Sequence, residues 1–337
     1  AYHLGERGIE AFLVTLYKEN KLPYRGKVVK IITAPGFISE LFSKSQFFFL
    51  LFGFPYLTYL TLRKSSKDTV LNPHNFPSLW SAGVVSMIRG IPVVWTCHNL
   101  PQNPFSDGLF AQIANSLIEP LNKFFTRRCR KIFVVSEKVQ KQVKRLYGVE
   151  SKVLYPGIDY EFYSRGNGKY LIKGYRLKNK FLIIQVGRLK REKNYELSLR
   201  AFAKASEKIK NTSFFLIGDG EEMERLKDLA KELHISDKVY FLGYQKPEVV
   251  RDFYAKASLI LVPSYDTEGF NLVVFEALCG GCVSILAKYS GADIVTKREK
   301  IGLVAQPTVS NFSKRIVWAY KNRVKLEKIG AKGKNWV

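Results

Sequence analysis

Two carboxylates stand out for the chemistry they could do: Glu268 and Glu276, with seven residues between them, within residues 263–286, PSYDTEGFNLVVFEALCGGCVSIL. An apolar run at 259–262 ends at Pro263 and Ser264, and a polar turn follows. A helical pattern then starts near Phe270, carries Glu276 on its second turn and stops at Gly280-Gly281, before the next strand-like run at 283–286. A helix N-terminus presents unpaired N–H groups and partial positive charge, which suits a phosphate. A carboxylate two turns into such a helix can accept hydrogen bonds from both hydroxyls of a ribose diol, and one in the preceding loop can do the same for a sugar. The competing reading is a surface glutamate and a helix glutamate in an ordinary α/β unit.

A second set of residues could manage developing negative charge. Gly187-Arg188-Leu189 directly follows the strand-like run 182–186, and Lys193 lies beyond it. Fixed cations at the end of a strand stabilise a departing phosphate more in the transition state than in the ground state. Ordinary surface cations are the alternative. The chain contains no Asp-x-Asp pair to hold a metal, so this sequence offers no metal site of that kind. Gly218-Asp219-Gly220 lacks the third glycine and the lysine of phosphate-loop fingerprints and reads as a tight strand-to-helix turn. Cys279 and Cys282 form a C-x2-C with no second pair or nearby histidine, so a turn is favoured over a zinc or redox site.

The full context of the two glutamates, PS-x3-EGF-x-LV-x2-EAL-x-GG, resembles the retaining family-4 glycosyltransferases of the GT-B fold. The resemblance covers residues 8–320 and is clearest over 181–304. It implies an α/β protein of two Rossmann-like domains whose parallel sheets face an interdomain cleft. It also implies that a hexose moves from a nucleotide-diphosphate sugar to an acceptor with retention, the nucleotide sugar being a co-substrate and no other cofactor being needed. Carried over residue by residue, Glu276 binds the ribose and Glu268 the hydroxyls of the transferred sugar. The backbone at Phe270, Asn271 and Leu272 meets the sugar and diphosphate. Gly187, Arg188 and Lys193 serve the diphosphate, Gly218 and Asp219 lie near the nucleotide, and Tyr244 borders the nucleobase. His98 approaches the donor sugar. Asn271 stands where the family often has glycine; asparagine tolerates unusual backbone angles, so the turn is expected to survive. No nucleophile stands out, which suits a same-face mechanism in which the leaving phosphate helps deprotonate the acceptor.

These residues need strands and helices to hold them. The patterns predict a helix over residues 8–20, strands at 27–33 and 69–73, a helix over 78–89, and a strand at 92–96 ending in Cys97-His98-Asn99. A long helix follows over 107–130, a strand at 132–135, a helix over 137–147 capped by Ser136, and a strand at 153–155. After a basic, glycine-containing linker at 166–180, strands and helices alternate again from residue 181 to 320. Such alternation implies parallel sheets with ligands beyond the carboxyl ends of the strands. The expected domains are 1–165 for the acceptor, lacking its first strand, and 166–322 for the nucleotide sugar, with 323–337 as a tail or shortened crossover helix.

The formal charge, 54 − 29 = +25, favours anionic partners. Residues 47–62 carry no charge but fall short of the ~20 needed to span a bilayer, and Gly53 and Pro55 interrupt them. A buried, kinked helix and an interfacial membrane anchor edged by Lys44, Arg63, Lys64 and Lys67 are the competing readings. Lys123, Arg127 and Arg128, with Lys138, Lys141 and Arg145 on one helix face, form a candidate acceptor or membrane surface, against the alternative of a solvated face. A lipid-linked or glycan acceptor, a possible anionic membrane surface and a cytoplasmic location, peripheral to the inner face of the membrane, complete the expectation. No nucleic-acid module is recognisable. The rival from another class is a non-catalytic or fragmentary GT-B protein that binds polyanions or a membrane surface.

Overall fold

A computed structural model describes residues 10–15, 29–33, 52–100, 109–169, 180–265 and 268–337. The chain divides into two compact units, Ala1–Val134 with Gln140–Val153, and Val135–Val139 with Leu154–Val337. The expected linker lies largely outside the described residues.

In the first unit, β1 (Ala11–Thr15) pairs in parallel with β2 (Val29–Thr33). The helix expected over 8–20 is therefore corrected: its middle, AFLVT, is a strand. The run carries an aromatic, a Val and a Thr, which favour a pleated surface, and parallel pairing with VKIIT overrode the helical spacing. The strand expected at 69–73 is reduced to one bridge, Leu71 with Val93. Pro73 has no N–H to extend the ladder, although its carbonyl accepts from Thr96 N at 3.1 Å. A three-stranded parallel sheet in the order β3–β4–β5 is formed by β3 (Val94–Cys97), β4 (Lys131–Val134) and β5 (Lys152–Val153).

Helix α1 (Phe54–Lys64) starts with Pro55 in its first turn, where a missing N–H costs nothing; the proline begins the helix and does not interrupt it. Leu57 and Leu60 are buried, whereas Phe52 and Tyr59 are exposed. Among the described residues no helix is long and apolar enough to cross a membrane. Helix α2 (Phe76–Arg89) is closed by an Asn75–Ser78 capping box and by Gly90 in a left-handed conformation. It packs on α3 (Leu109–Thr126), where Trp80 Nε1 donates to Asn122 Oδ1 at 2.8 Å. Helix α4 (Glu137–Tyr147) is capped by Ser136, whose Oγ accepts from Val139 N at 3.3 Å.

The second unit opens with the five-residue helix α5 (Tyr160–Ser164), capped by Asp159. Six short apolar runs then become parallel strands: β6 (Phe181–Val186), β7 (Thr212–Ile217), β8 (Val239–Phe241), β9 (Leu259–Val262), β10 (Val283–Ala287) and β11 (Leu303–Ala305). Their order is β11–β10–β9–β6–β7–β8. Both faces of the sheet are buried, as continuous apolar strands require. Phe181, Ile183, Phe214, Leu216, Leu259 and Leu261 pack on one face under α6 (Tyr195–Ser206), α7 (Met223–Glu232) and α11 (Val309–Lys321). Their alternates Leu182, Ile184, Phe215 and Ile260 face α8 (Pro247–Lys256), α9 (Leu272–Cys279) and α10 (Asp293–Glu299). The closing helix α12 (Arg323–Trp336) lies on the same unit, with Gly330 against the Gly281 carbonyl and Gly333 against Leu278.

Candidate functional site

The chain leaves β6 toward β7 and β8, then returns to β9 on the other side of β6. This reversal parts the loops after β6 and β9 at their carboxyl ends, the place where doubly wound sheets bind ligands. The loops following β6, β7 and β8 rest directly on one another. Gly187 N donates to Ile217 O at 3.0 Å, Gly218 N to Gly243 O at 2.8 Å, and Leu189 N to Asp219 O at 2.9 Å. Tyr195 OH donates to Gly187 O at 2.8 Å. Arg188 and Asp219 are exposed at this edge, and Tyr244 is 75% exposed beside it. Asp219 Oδ1 turns back to accept from Gly220 N at 2.8 Å, which supports the tight-turn reading of this loop.

The loops after β6 and β9 are joined by side chains. A single 3-10 turn, Arg191–Lys193, carries Lys193 toward Glu268, and Lys193 Nζ forms an ion pair with Glu268 Oε1. Among the described residues Glu268 Oε2 is buried with no hydrogen-bond partner, so the carboxylate keeps an acceptor in reserve. Asn194 Nδ2 donates to Pro263 O at 3.3 Å and Tyr265 N to Glu192 O at 3.0 Å, which stitch the same two loops. Two residues from Val135–Val139, part of this unit, hold the Glu268 backbone: Lys138 Nζ donates to Glu268 O at 2.7 Å and Ser136 Oγ to Gly269 O at 2.7 Å. Sequence reasoning put Lys138 on an acceptor face and gave Ser136 only a cap; their partners lie more than a hundred residues away, beyond any local pattern.

Asn271 sits in an ordinary extended conformation. Its φ of −93° needs no left-handed tolerance, and its side chain instead donates to Ser290 O at 2.9 Å. Asn271 does not cap the start of α9 with its side chain, so among the described residues the Leu272 and Val273 N–H groups stay available beside Phe270. Glu276 lies on α9 with partners of its own. Tyr254 OH donates to Glu276 Oε2 at 3.0 Å, and the Tyr163 phenol, its ring 5.9 Å from that of Tyr254, also favours the charged form of this carboxylate. Burial pushes the Glu276 carboxyl above its ordinary range, and the two phenols pull it back toward the charged form.

In the first unit, His98 follows β3 and pairs with His74, Nε2 to Nδ1 at 2.7 Å, with rings stacked 5.0 Å apart. The sequence signal for His74 was its place right after the 69–73 run, alongside Cys97-His98. Desolvation lowers both imidazoles, and for His74 the neighbouring His98 lowers it further. The His74→Ala variant should uncover His98 and move its titration up toward the ordinary value of about 6.5, read by NMR of the imidazole protons. An unchanged His98 titration would show that the stack does not govern it. Lys123, Arg127, Arg128, Lys141 and Arg145 are exposed; Arg128 lies over the Phe124 ring at 3.6 Å.

Comparison with known proteins bears on this arrangement. The family model described as glycosyl transferases group 1 matches residues 171–336, and the model Glycosyltransferase Family 4 matches residues 1–162. An uncharacterized glycosyltransferase of Methanocaldococcus jannaschii is 24% identical over 72% of this chain and 63% of its own length. The N-acetylgalactosamine-N,N'-diacetylbacillosaminyl-diphospho-undecaprenol 4-alpha-N-acetylgalactosaminyltransferase of Campylobacter jejuni is 30% identical over 52% of this chain and 48% of its own length. The chain thus spans less than two thirds of the length of these curated relatives. Among solved structures, HepE of Anabaena in complex with UDP matches with TM-score 0.79 at 17% identity, covering 97% of this chain and 94% of that one. Sucrose-phosphate synthase from Thermosynechococcus elongatus matches with TM-score 0.78 at 16% identity, over 99% and 85%. The fold is GT-B.

Proposed function

The chain belongs to the glycosyl transferases group 1, its other half matching Glycosyltransferase Family 4, and from that premise we propose that it transfers a hexose from a nucleoside-diphosphate sugar. The observation that carries the reading is the Lys193–Glu268 pair set beside the uncapped start of α9. Glu268 Oε2 takes a hydroxyl of the transferred sugar. Lys193, Arg188 and the α9 N–H groups take the diphosphate, where charge gathers as the bond from the anomeric carbon to the phosphate oxygen breaks. The electron pair leaves with that oxygen, and the acceptor hydroxyl gives its proton to the departing phosphate while its own oxygen bonds the anomeric carbon. Attack on the face that the leaving group vacates retains configuration, and the cations do the work a metal would otherwise do.

UDP is the favoured nucleotide, since HepE structures are described with UDP and with UDP-glucose. The first unit receives the acceptor. A lipid-linked acceptor is favoured by the basic residues Lys123, Arg127 and Arg128, by exposed Phe52 and Tyr59, and by the diphospho-undecaprenol in the Campylobacter relative's name. The test is release of nucleoside diphosphate from UDP- and GDP-sugars, with an undecaprenyl-diphosphate glycan as acceptor and with a chelator in parallel. Acceptor-dependent UDP release that persists in chelator supports the proposal. No release from any of these donors, with the chain folded, would overturn it.

A further inference from the structure

Glu276 faces a conflict that its sequence motif does not resolve. A carboxylate that accepts both hydroxyls of a ribose must be charged and held still, yet this one is largely buried, and burial disfavours its charge. The structure sets two phenols against that cost. Tyr254 comes from the last turn of α8 and is fully buried, and its OH donates to Glu276 Oε2 at 3.0 Å. Tyr163 comes from α5, nearly a hundred residues earlier, and its phenol also favours the charged form of Glu276. The two rings lie 5.9 Å apart, which sets a second phenol, from a different element, beside the one that holds Glu276. Gly280, at the end of α9, has no room for a Cβ: it would meet the Tyr254 backbone at 2.6 Å. Close packing of α9 on α8 at that point keeps Tyr254 within reach of Glu276.

We propose that Tyr254 and Tyr163 are positioning residues for nucleotide recognition, which fix the rotamer of Glu276 and keep it charged so that its free lone pairs meet the ribose diol. A carboxylate offers about four acceptor sites, so two phenols leave room for two ribose hydroxyls. The proposal rests on the reading of Glu276 as the ribose ligand. Each tyrosine acts through Glu276, so its loss should weaken donor binding and leave the bond-breaking step alone.

The experiment compares Tyr254→Phe, Tyr163→Phe and Glu276→Gln with the wild type. It measures affinity for UDP, GDP and ADP, the donor's KM and kcat across pH, and thermal stability. Phenylalanine keeps the ring packing, and because Tyr163 is only half-buried its variant carries the test if Tyr254→Phe folds poorly. Each phenylalanine variant should raise KM about tenfold, with kcat within about twofold. Each should also move the acidic limb of kcat/KM to higher pH, since losing a donor to the charged form lets the Glu276 carboxyl rise further. The preference for the ribonucleotide over its 2′-deoxy analogue should shrink in parallel. If Glu276→Gln weakens binding while both phenylalanine variants keep the wild-type KM and pH profile, the positioning role is overturned and the ribose reading stands. If Glu276→Gln itself leaves nucleotide affinity unchanged, the ribose reading falls and the positioning role with it.

Discussion

Lys193→Ala should lower sugar transfer by ~10²–10³-fold, about 3–4 kcal/mol of transition-state stabilisation. Lysine at this position does two jobs. It faces the diphosphate in the proposed mechanism, and it pairs with Glu268 in the unliganded chain. Both side chains are mostly sheltered, at 25% and 15% exposure, so alanine would also strand the Glu268 carboxylate, whose Oε2 already lacks a partner. That second effect costs about 1–3 kcal/mol of stability and appears as a lower Tm. The double variant Lys193→Ala with Glu268→Gln separates the two. It should recover most of the lost stability and none of the lost turnover. Lys193→Arg should restore only part of the activity, because the planar guanidinium cannot place its charge where the ammonium sits. Turnover within tenfold of wild type in Lys193→Ala would remove this residue from the chemistry.

Gly218→Ala should unfold or loosen the strand ends that build the site. Gly218 has φ +137°, and a Cβ there would sit 1.9 Å from Gly187 O and 2.8 Å from its carbonyl carbon. The obstacle is backbone, fixed by Gly187 N donating to Ile217 O and Gly218 N donating to Gly243 O, so no side chain can swing away. Steric overlap and the strained φ together should cost about 2–5 kcal/mol, a fall in Tm of about 5–15 °C for a unit of this size. Nucleotide affinity should fall as well, because the same displacement moves Gly187 and Arg188. The contrast is Gly243→Ala, where φ is +64° but nothing lies within 4 Å of the added carbon, so only the smaller backbone term applies. Differential scanning calorimetry of the two variants checks the ranking, and equal Tm losses would contradict it.

Legibility followed the range of the interactions. The strands of the six-stranded sheet were readable because each is a short apolar run bounded by turn residues, and both faces are buried. The loops after β6 and β9 were readable because the Glu268–Glu276 motif is local and the alternation of elements fixes which strand ends they occupy. β1 was misread because AFLVT sits in a stretch whose apolar spacing also fits a helix, and only its pairing with Val29–Thr33 decides the matter. The short helix α10 was not foreseen, since its seven residues carry too little periodicity. The supports of the site were illegible for a different reason. Ser136, Lys138, Tyr163 and Tyr254 reach Gly269, Glu268 and Glu276 across up to 133 residues of chain, and each has an ordinary local explanation as a cap, a surface cation or a core aromatic. Likewise His74 acquires meaning only when parallel pairing sets the end of its run beside His98.

The most direct test of a nucleoside-diphosphate site at the switch point of the six-stranded sheet is calorimetric titration of UDP, GDP and ADP into the wild-type chain and into Arg188→Ala with Glu276→Gln. One nucleoside diphosphate, with UDP expected, should bind the wild type and lose at least about a hundredfold in affinity in the double variant at unchanged Tm. Equal affinity in the two proteins, or no nucleotide binding by a folded wild type, would contradict the assignment.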